Sequence, residues 1–501
     1  NPCALADSKT EHVPVLIVGA GPVGLCAAVD LALHGIKSIL IDDDDKLSTG
    51  SRAICWAKRT LEIFDRLGIA DSLVEKGITW KVGRLFHGDT EVYSFDLLPE
   101  TGHKMPAFIN LPQYHVEDAL VTRIGDFAGL ADICWKNKLA GIAQDNNGVT
   151  ATIETPDGPY QITADYVLAC DGSHSTVRKL MNLEFSGEAF EEKFLIADIV
   201  MEADFPSERW FWFDPPFHRG HSVLLHKQPD NLYRIDFKLG RDADPDIEKN
   251  SAQVRHRVEA MLPGRKFELD WLSVYSFQCR RLKKFVHDRV IFAGDAAHLV
   301  SPFGARGGNG GIQDVDNLVW KLSAVLKGVA PATLLQSYDE ERIPAADENT
   351  LHSTRATRFL TPRTKMETIL QNAVLRLAKD NVFARKLVNS GRLSTPCIAA
   401  SSSLQTPASG TLVVPGTPCP DAPLADGWLL NKLDGQFSTL GTNHIDAGFP
   451  HIRLDNEIAK QRYGEGLIYL IRPDQHVAAV FSNNDEAAIH AAHQRALGKK
   501  E

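Results

Sequence analysis

The stretch VPVLIVGAGPVGLCAAVDLALHGIKSILIDDDD, residues 13–45, contains a strand, a glycine-rich turn, a helix and a second strand. The continuous apolar run 13–18 is typical of a strand buried on both faces. The turn reads GxGxxG and is followed by apolar residues at helical spacing. In such a turn the first glycine permits the tight bend, the second lets the backbone approach a pyrophosphate, and the third permits close helix packing. The pattern predicts a dinucleotide site formed by Gly19, Gly21, Pro22, Val23 and Gly24, with Asp42 after the second strand binding a ribose.

Composition narrows the class of protein. A chain of 501 residues is long enough for two or three domains. Its net charge of −10 argues against a surface that binds nucleic acid. No apolar run reaches the roughly 18 residues of a membrane span. Eight cysteines without a CxxC pair favour a reducing, cytoplasmic location, and no metal site is predicted.

Two further strands run into acidic turns. The segment QITADYVLACDGSHSTVRKLM, residues 161–181, places Asp171 at a strand end, and Ser175 opens a helix. The segment DRVIFAGDAAHLVSPFGARGGNGGIQDVDNLVWKL, residues 288–322, places Asp295 after a short apolar strand. A glycine-dense loop and a helix from about Ile312 follow. So much bare backbone suggests a polyanion or a flat ring lying against the main chain.

The three motifs in this order resemble the single-component flavoprotein aromatic hydroxylases, the family of para-hydroxybenzoate hydroxylase. The resemblance covers roughly residues 13–350 and implies FAD in one Rossmann-like fold assembled from separated segments. It implies that Asp295 binds the ribityl chain and that Pro302 lies beside the flavin ring. The backbone of Gly308 and Asn309 would donate to the ring edge, where loop amides stabilise negative charge. Arg52, Gln113 and Asp171 are further FAD contacts by resemblance.

The expected fold is α/β: an FAD-binding domain, an antiparallel β-sheet substrate domain and a C-terminal thioredoxin-like α/β domain. The last is similar to that of the phenol-hydroxylase and hydroxyphenylpropionate-hydroxylase branch. Without a CxxC pair, dithiol redox work is not expected there. The predicted division is 1–80, 107–185 and 286–392 for FAD, 81–106 and 186–285 for substrate, 393–415 as linker, and 416–501 for the tail.

Short alternating strands in the substrate region are expected to hold an aromatic guest against the flavin. Candidate lining residues are Trp210, Trp212, His226, Arg234, Tyr275 and Phe277. His226 and Tyr275 are the candidates for contact with a phenol hydroxyl, and with Pro302 they form the predicted catalytic set. Alternatively, basic residues hold a substrate carboxylate, namely His226, Lys227, Arg234 and Arg280. His298 is expected to be structural.

The resemblance implies a monooxygenase that uses NAD(P)H and O2 to hydroxylate a phenolic substrate through a flavin C4a-hydroperoxide. Transient docking of NAD(P)H is expected, because no second GxGxxG is present. A tailoring monooxygenase or reductase acting on a polyketide-like compound stays open, as does a non-catalytic flavin redox sensor. FWFDPPF does not match the WxWxIP-like stretch of flavin halogenases. The expected partners are small molecules, with neither nucleic acid nor membrane, and a homodimer is possible.

Overall fold

The computed structural model of the protein describes residues 11–50, 52–240, 242–388, 393, 395–408 and 410–499. The α-helices in that part of the chain are Pro22–Leu33, Lys58–Leu67, Ala70–Lys76, Gln113–Ile124, Thr176–Leu180, Pro245–Glu248, Ser251–Met261, Gly307–Leu326, Gln336–Leu360, Lys365–Ala378, Val382–Val388, Glu457–Tyr463 and Glu486–Ala496. None of them is long and apolar enough to cross a membrane.

The first sheet is the parallel sheet that the glycine turn predicts. Its strands lie in the order Val286–His287, Val290–Phe292, Gly158–Ala169, Glu11–Val18, Ser38–Ile41 and Ala131–Cys134. The last five run parallel to one another, and an antiparallel extension of Val149–Thr155 and Lys138–Gln144 joins the long strand. The three sequence motifs follow three adjacent strands. Parallel strands end at the same sheet edge, so motifs more than a hundred residues apart meet there.

The second sheet is the predicted substrate sheet. Its strands lie in the order His298–Leu299, Glu268–Arg281, Ser186–Val200, Leu232–Lys238, Ser222–Lys227, Arg209–Phe213, Val82–His87 and Thr90–Asp96. Neighbours are antiparallel except Arg209–Phe213 and Val82–His87, which run parallel because they come from two separate excursions of the chain. One face packs against the helix Ser251–Met261, and the other packs against Phe303 and the helix Gln336–Leu360.

A small three-stranded sheet of Cys55–Ala57, Phe108–Asn110 and Ile78–Trp80 lies under the substrate sheet, where Cys55 approaches His226. The C-terminal sheet has the order His451–Arg453, Ser438–Gly441, Ile468–Ile471 and Val477–Phe481. One parallel and two antiparallel pairings give it the strand order of the predicted thioredoxin-like domain. Residues 442–450, between its first two strands, contain no helix.

The C-terminal domain is joined to the flavin-binding helices by buried charges. Arg472 donates to both carboxylate oxygens of Glu341, at 2.6 and 3.0 Å, and also pairs with Asp474. Lys321 reaches Glu341 from the other side at 2.8 Å. All four side chains are buried, so this contact belongs to the interior of the molecule.

Candidate active site

The three glycines of the first motif have different surroundings. Gly19 has φ +107°, and a Cβ there would lie 2.5 Å from the carbonyl oxygen of Cys170. A Cβ on Gly24 would lie 1.9 Å from the carbonyl oxygen of Gly19. A Cβ on Gly21 would meet no described protein atom within 4 Å. Packing therefore requires Gly19 and Gly24, whereas the space beside Gly21 is open, as a pyrophosphate needs.

Asp42 lies next to that turn. One carboxylate oxygen accepts the Ala20 N–H at 2.5 Å, and the other accepts the Asp44 N–H at 2.9 Å. The carboxylate is half-buried, and each of its oxygens keeps a lone pair that can accept a ribose hydroxyl. Pro22 is the first residue of the helix. Val23 packs beneath the third motif, since a Cβ on Gly294 would lie 2.9 Å from its methyl group.

Asp171 has an unsatisfied oxygen at the second strand end. Its Oδ2 accepts the Val177 N–H at 3.0 Å, but its buried Oδ1 has no hydrogen-bond partner in the described chain. Burial raises the pKa of this carboxyl. A buried acceptor without a donor costs roughly 1–3 kcal/mol. A hydroxyl or amide of a bound cofactor is the kind of group that would satisfy it.

Asp295 lies in the short 3₁₀ turn Gly294–Ala296 at the third strand end. Its side chain is open to the groove, while the protein packed around the carboxyl raises its pKa. Gly294 has φ +60°, and Gly311 approaches it so closely that a Cβ on Gly311 would lie 3.0 Å from the Gly294 Cα. The turn is therefore held between the helix beginning at Pro22 and the helix Gly307–Leu326.

The helix after the glycine-rich loop begins at Gly307, five residues earlier than expected. The prediction of Ile312 was wrong because glycines usually discourage a helix. Within the described chain the amides of Gly307, Gly308 and Asn309 have no acceptor, and no side chain caps this end. The Asn309 side chain instead binds the small sheet, accepting the Ala57 N–H and donating to the Cys55 carbonyl, both at 2.9 Å. Free amides and the helix dipole make this end a site for partial negative charge.

A buried ion network braces the loop from behind. His298 lies 2.6 Å from Asp314, which also accepts the Gly294 N–H at 3.0 Å. Arg342 donates to the second oxygen of Asp314 at 2.7 Å. Although burial opposes ionisation, His298 and Arg342 hold the pKa of Asp314 below its ordinary value. His298 thus supports the loop from the interior, as the structural interpretation requires.

Gln113 and Arg52 lie close together, since the Gln113 side chain contacts Ala53, the residue after Arg52. Gln113 begins its helix, accepts the Ala53 N–H at 3.3 Å and donates to Glu117 at 2.7 Å. The Arg52 side chain is exposed, and its carbonyl accepts from Arg234 at 2.8 Å. Gln113 therefore contacts the Ala53 backbone and lies 3.5 Å from the Ser48 hydroxyl, while the Arg52 guanidinium remains accessible.

These features fit FAD. The open space at Gly21 suits the pyrophosphate, the orphaned Asp171 oxygen and Asp295 suit hydroxyl donors, and the free amides near Gly308 suit a flavin edge. Gly21, Asp171 and Asp295 follow strand ends at one sheet edge, and the loop after Asp295 leads to the amides of the helix Gly307–Leu326, so one extended ligand can reach them.

A cavity of about 530 Å³ borders the same loop. The substrate sheet supplies Phe211, Leu85 and Arg209, and the loop supplies Phe303 and Gly304. The helices between 336 and 388 close the far side. The volume falls within the roughly 300–1,000 Å³ of small-molecule sites, and the lining is mainly apolar, which suits a multi-ring aromatic guest.

The predicted lining residues divide by sheet face. Trp210 and Trp212 lie on the opposite face, packed in the cluster around the helix Ser251–Met261. Their alternation with Arg209 and Phe211 explains the error, because the sequence does not say which set points inward. Phe277 packs near Phe303, with ring centroids 6.0 Å apart.

The three predicted catalytic residues lie near the cavity without lining it. Pro302 is exposed beside Phe303. Tyr275 packs in the aromatic cluster of Phe194 and Phe303, and its hydroxyl has no partner among the described residues. His226 is buried between Cys55 and the arginines at 209 and 234, and burial followed by their charge lowers its imidazole pKa well below the ordinary value.

Sequence reasoning missed Arg209, Asp314 and Arg342. No local spacing in the sequence points to these three residues, in contrast to Gln113 and Glu117, whose i, i+4 spacing on one helix predicts their contact. Arg209 is the first residue of an aromatic strand, and its importance depends on which face of that strand turns toward the cavity. Asp314 and Arg342 meet through the packing of two long helices, 28 residues apart in sequence.

Comparison with known proteins identifies these features. A family model described as FAD binding domain matches residues 12–353. The chain is 33% identical to rifampicin monooxygenase of Streptomyces venezuelae over 68% of this chain and 70% of that protein. It is 27% identical to a 3-(3-hydroxy-phenyl)propionate/3-hydroxycinnamic acid hydroxylase of Mycolicibacterium smegmatis over 73% of this chain and 64% of that protein.

The fold extends over nearly the whole chain of a solved relative. The flavin-dependent monooxygenase PieE, solved with FAD and substrate, superposes with a TM-score of 0.80 at 20% identity. The match covers 98% of this chain and 99% of that one. The similarity therefore includes the substrate sheet and the C-terminal domain as well as the cofactor-binding sheet.

Proposed function

Because the chain belongs to the FAD binding domain family and is a flavin-dependent monooxygenase, we propose that it hydroxylates a multi-ring phenolic compound in the cavity beside Phe303. The observation that carries this proposal is the position of the cavity. Its lining is mainly apolar, and it borders the loop that leads directly to the free amides at Gly307 and Gly308. An aromatic guest there lies beside the flavin site.

The chemistry that FAD supplies when bound is acceptance of a hydride from NAD(P)H and activation of O2. The protein's own residues do the rest. Asp295, Asp171 and Asp42 orient the cofactor, and the glycine turn admits its pyrophosphate. The amides at the start of the helix favour negative charge on the ring edge. Phe211 and Phe303 in the cavity lining exclude water from the guest.

Tyr275, which packs in the Phe303 cluster beside the cavity, is the proposed polar contact to a substrate phenol that extends past the cavity lining, and Pro302 is the proposed contact to the flavin ring. The partner-free Tyr275 hydroxyl and its place in the Phe303 cluster support this role. His226 is proposed to support Arg209, its neighbour on the adjacent strand, as a neutral imidazole, because His226 is buried and its pKa is lowered.

The chain is proposed to be cytoplasmic. A homodimer is also proposed, supported by exposed apolar side chains on the helices 365–388, including Met366, Ile369 and Phe383.

The names of the relatives suggest two classes of substrate for this protein, single-ring phenolic acids and large polycyclic compounds. One relative is named for single-ring hydroxyphenyl acids, and another for the much larger rifampicin. The cavity volume favours more than one ring, so a polyketide-like compound is the second candidate. A flavin sensor without turnover would not need so large an apolar cavity beside the loop.

The test is a screen of single-ring phenols, naphthols and hydroxyanthraquinones with the FAD-loaded protein. Consumption of NADH or NADPH, oxygen uptake and product mass are measured together. We expect substrate-stimulated NAD(P)H oxidation and a product 16 mass units heavier, strongest for the multi-ring compounds. Oxidation that no aromatic compound stimulates would contradict the proposal, and Tyr275→Phe should lower product formed per NAD(P)H consumed.

A further inference from the structure

The cavity carries an excess of unpaired positive charge. Three of its lining cations, Arg209, Arg355 and Lys386, have no hydrogen bond or ion pair within the part of the chain that the structure describes. The other arginines on the lining are already engaged, for example Arg84 with Glu208 at 2.8 Å. The carboxylate Glu367 caps its own helix. No free anion therefore balances these cations from the described lining.

Arg209 is the most enclosed of the three. It is half-buried, whereas Arg355 and Lys386 are exposed at the mouth. On the sheet it is directly paired with His226, which is paired in turn with Arg234, so all three project from one face. Arg234 is neutralised by Asp236 at 2.8 Å, but Arg209 is not. A half-buried guanidinium beside an aromatic wall is a strong and directional site for a carboxylate.

We propose that Arg209 binds a carboxylate of the substrate, so that the enzyme selects acidic multi-ring aromatic compounds over neutral ones. This inference rests on the proposed function and specifies its substrate class. The apolar wall of Phe211 and Phe303 holds the rings, and Arg209 fixes the acidic end. Arg355 and Lys386 at the mouth attract the anion before it enters.

The probes are 4,5-dihydroxyanthraquinone-2-carboxylic acid and its methyl ester, which share the ring system and differ in the negative charge and one methyl group. Their dissociation constants are measured by calorimetry on the FAD-loaded protein. We expect the acid to bind about tenfold to a hundredfold more tightly than the ester. Arg209→Gln should abolish that preference and leave both ester affinity and FAD content unchanged, while Arg209→Lys should retain part of it. Arg219→Gln is the matched control, because Arg219 is exposed beside Asp214 and outside the cavity lining.

A wild-type protein with no preference for the acid, or an acid preference that survives in Arg209→Gln, would overturn the inference. A higher KM for NAD(P)H in Arg209→Gln with unchanged acid affinity would also overturn it, since the arginine would then serve the phosphates of the coenzyme. Because calorimetry needs no turnover, acid binding without NAD(P)H oxidation would count against the proposed function alone.

Discussion

Gly21 and Gly24 belong to the same motif, yet the structure gives them opposite sensitivities. A side chain on Gly21 enters open space, whereas one on Gly24 collides with the Gly19 carbonyl. We expect Gly21→Val to leave the thermal stability of the FAD-free protein nearly unchanged and to weaken FAD binding. Gly24→Val should lower that stability. Melting curves without FAD and fluorescence titrations with FAD check both, and normal FAD affinity in Gly21→Val would make the motif purely structural.

Asp295 is open to the groove and bound to no described partner, so its carboxylate is available to the cofactor. Asp295→Ala should weaken FAD binding by roughly 1–3 kcal/mol, about tenfold to a hundredfold, because ribityl hydroxyls lose their acceptor. The ratio of flavin to protein absorbance after purification measures the loss. Asp132→Ala, at an exposed position of the same sheet, is the control. Full flavin content in the Asp295 variant would refute the assigned role.

At the scale of elements, the helix Gly307–Leu326 is held by the ion pairs of Asp314 with His298 and Arg342. Asp314→Asn should cost about 3–5 kcal/mol of unfolding free energy at neutral pH, because the buried Arg342 guanidinium loses its counter-ion and His298 loses a charged hydrogen-bond partner. Denaturant unfolding measures the difference from the wild type. A cost below 1 kcal/mol would show that the network does not hold this helix.

The stability that the ionised Asp314 carboxylate contributes depends on pH. The folded-state pKa of Asp314 lies below the ordinary value of about 3.9. Its ionisation therefore stabilises the fold above that ordinary value, and the stabilisation is lost as pH falls through the folded-state pKa. The stability gap between wild type and Asp314→Asn should thus shrink as the pH falls below about 4. A gap that grows with acid would reverse the assigned sign.

At the scale of the whole molecule, buried ion pairs join the C-terminal domain to the helix Gly307–Leu326, whose first residues border the proposed flavin site. Arg472 neutralises Glu341 and Asp474, and Lys321 of the same cluster lies on the helix Gly307–Leu326. Arg472→Met should cost about 3–5 kcal/mol and release flavin at a lower temperature. Thermal melts followed by flavin fluorescence test this, with exposed Arg453→Met as control. Unchanged flavin release would mean that the two parts are independent.

The sequence alone determined the cofactor-binding half of the protein. Each motif there is local: a strand, a turn with glycines or an aspartate, and a helix start lie within about 30 residues, so spacing reveals them. The parallel sheet and the positions of Asp42, Asp171 and Asp295 at strand ends follow from that spacing, and FAD followed from the resemblance of the three motifs to the aromatic hydroxylases. The family and the monooxygenase activity also followed, because three such motifs in one order are specific.

The tertiary structure alone decided the substrate side. Strand alternation leaves two faces equivalent until a partner covers one, so Trp210 and Arg209 could not be told apart in sequence. The start of the helix at Gly307 depended on packing against Gly294 and Val23, which overrides the weak helix propensity of glycine. The ion pairs of Asp314 and Arg472 join segments that are distant in the chain. Such contacts have no local spacing to reveal them, because only the fold brings their partners together.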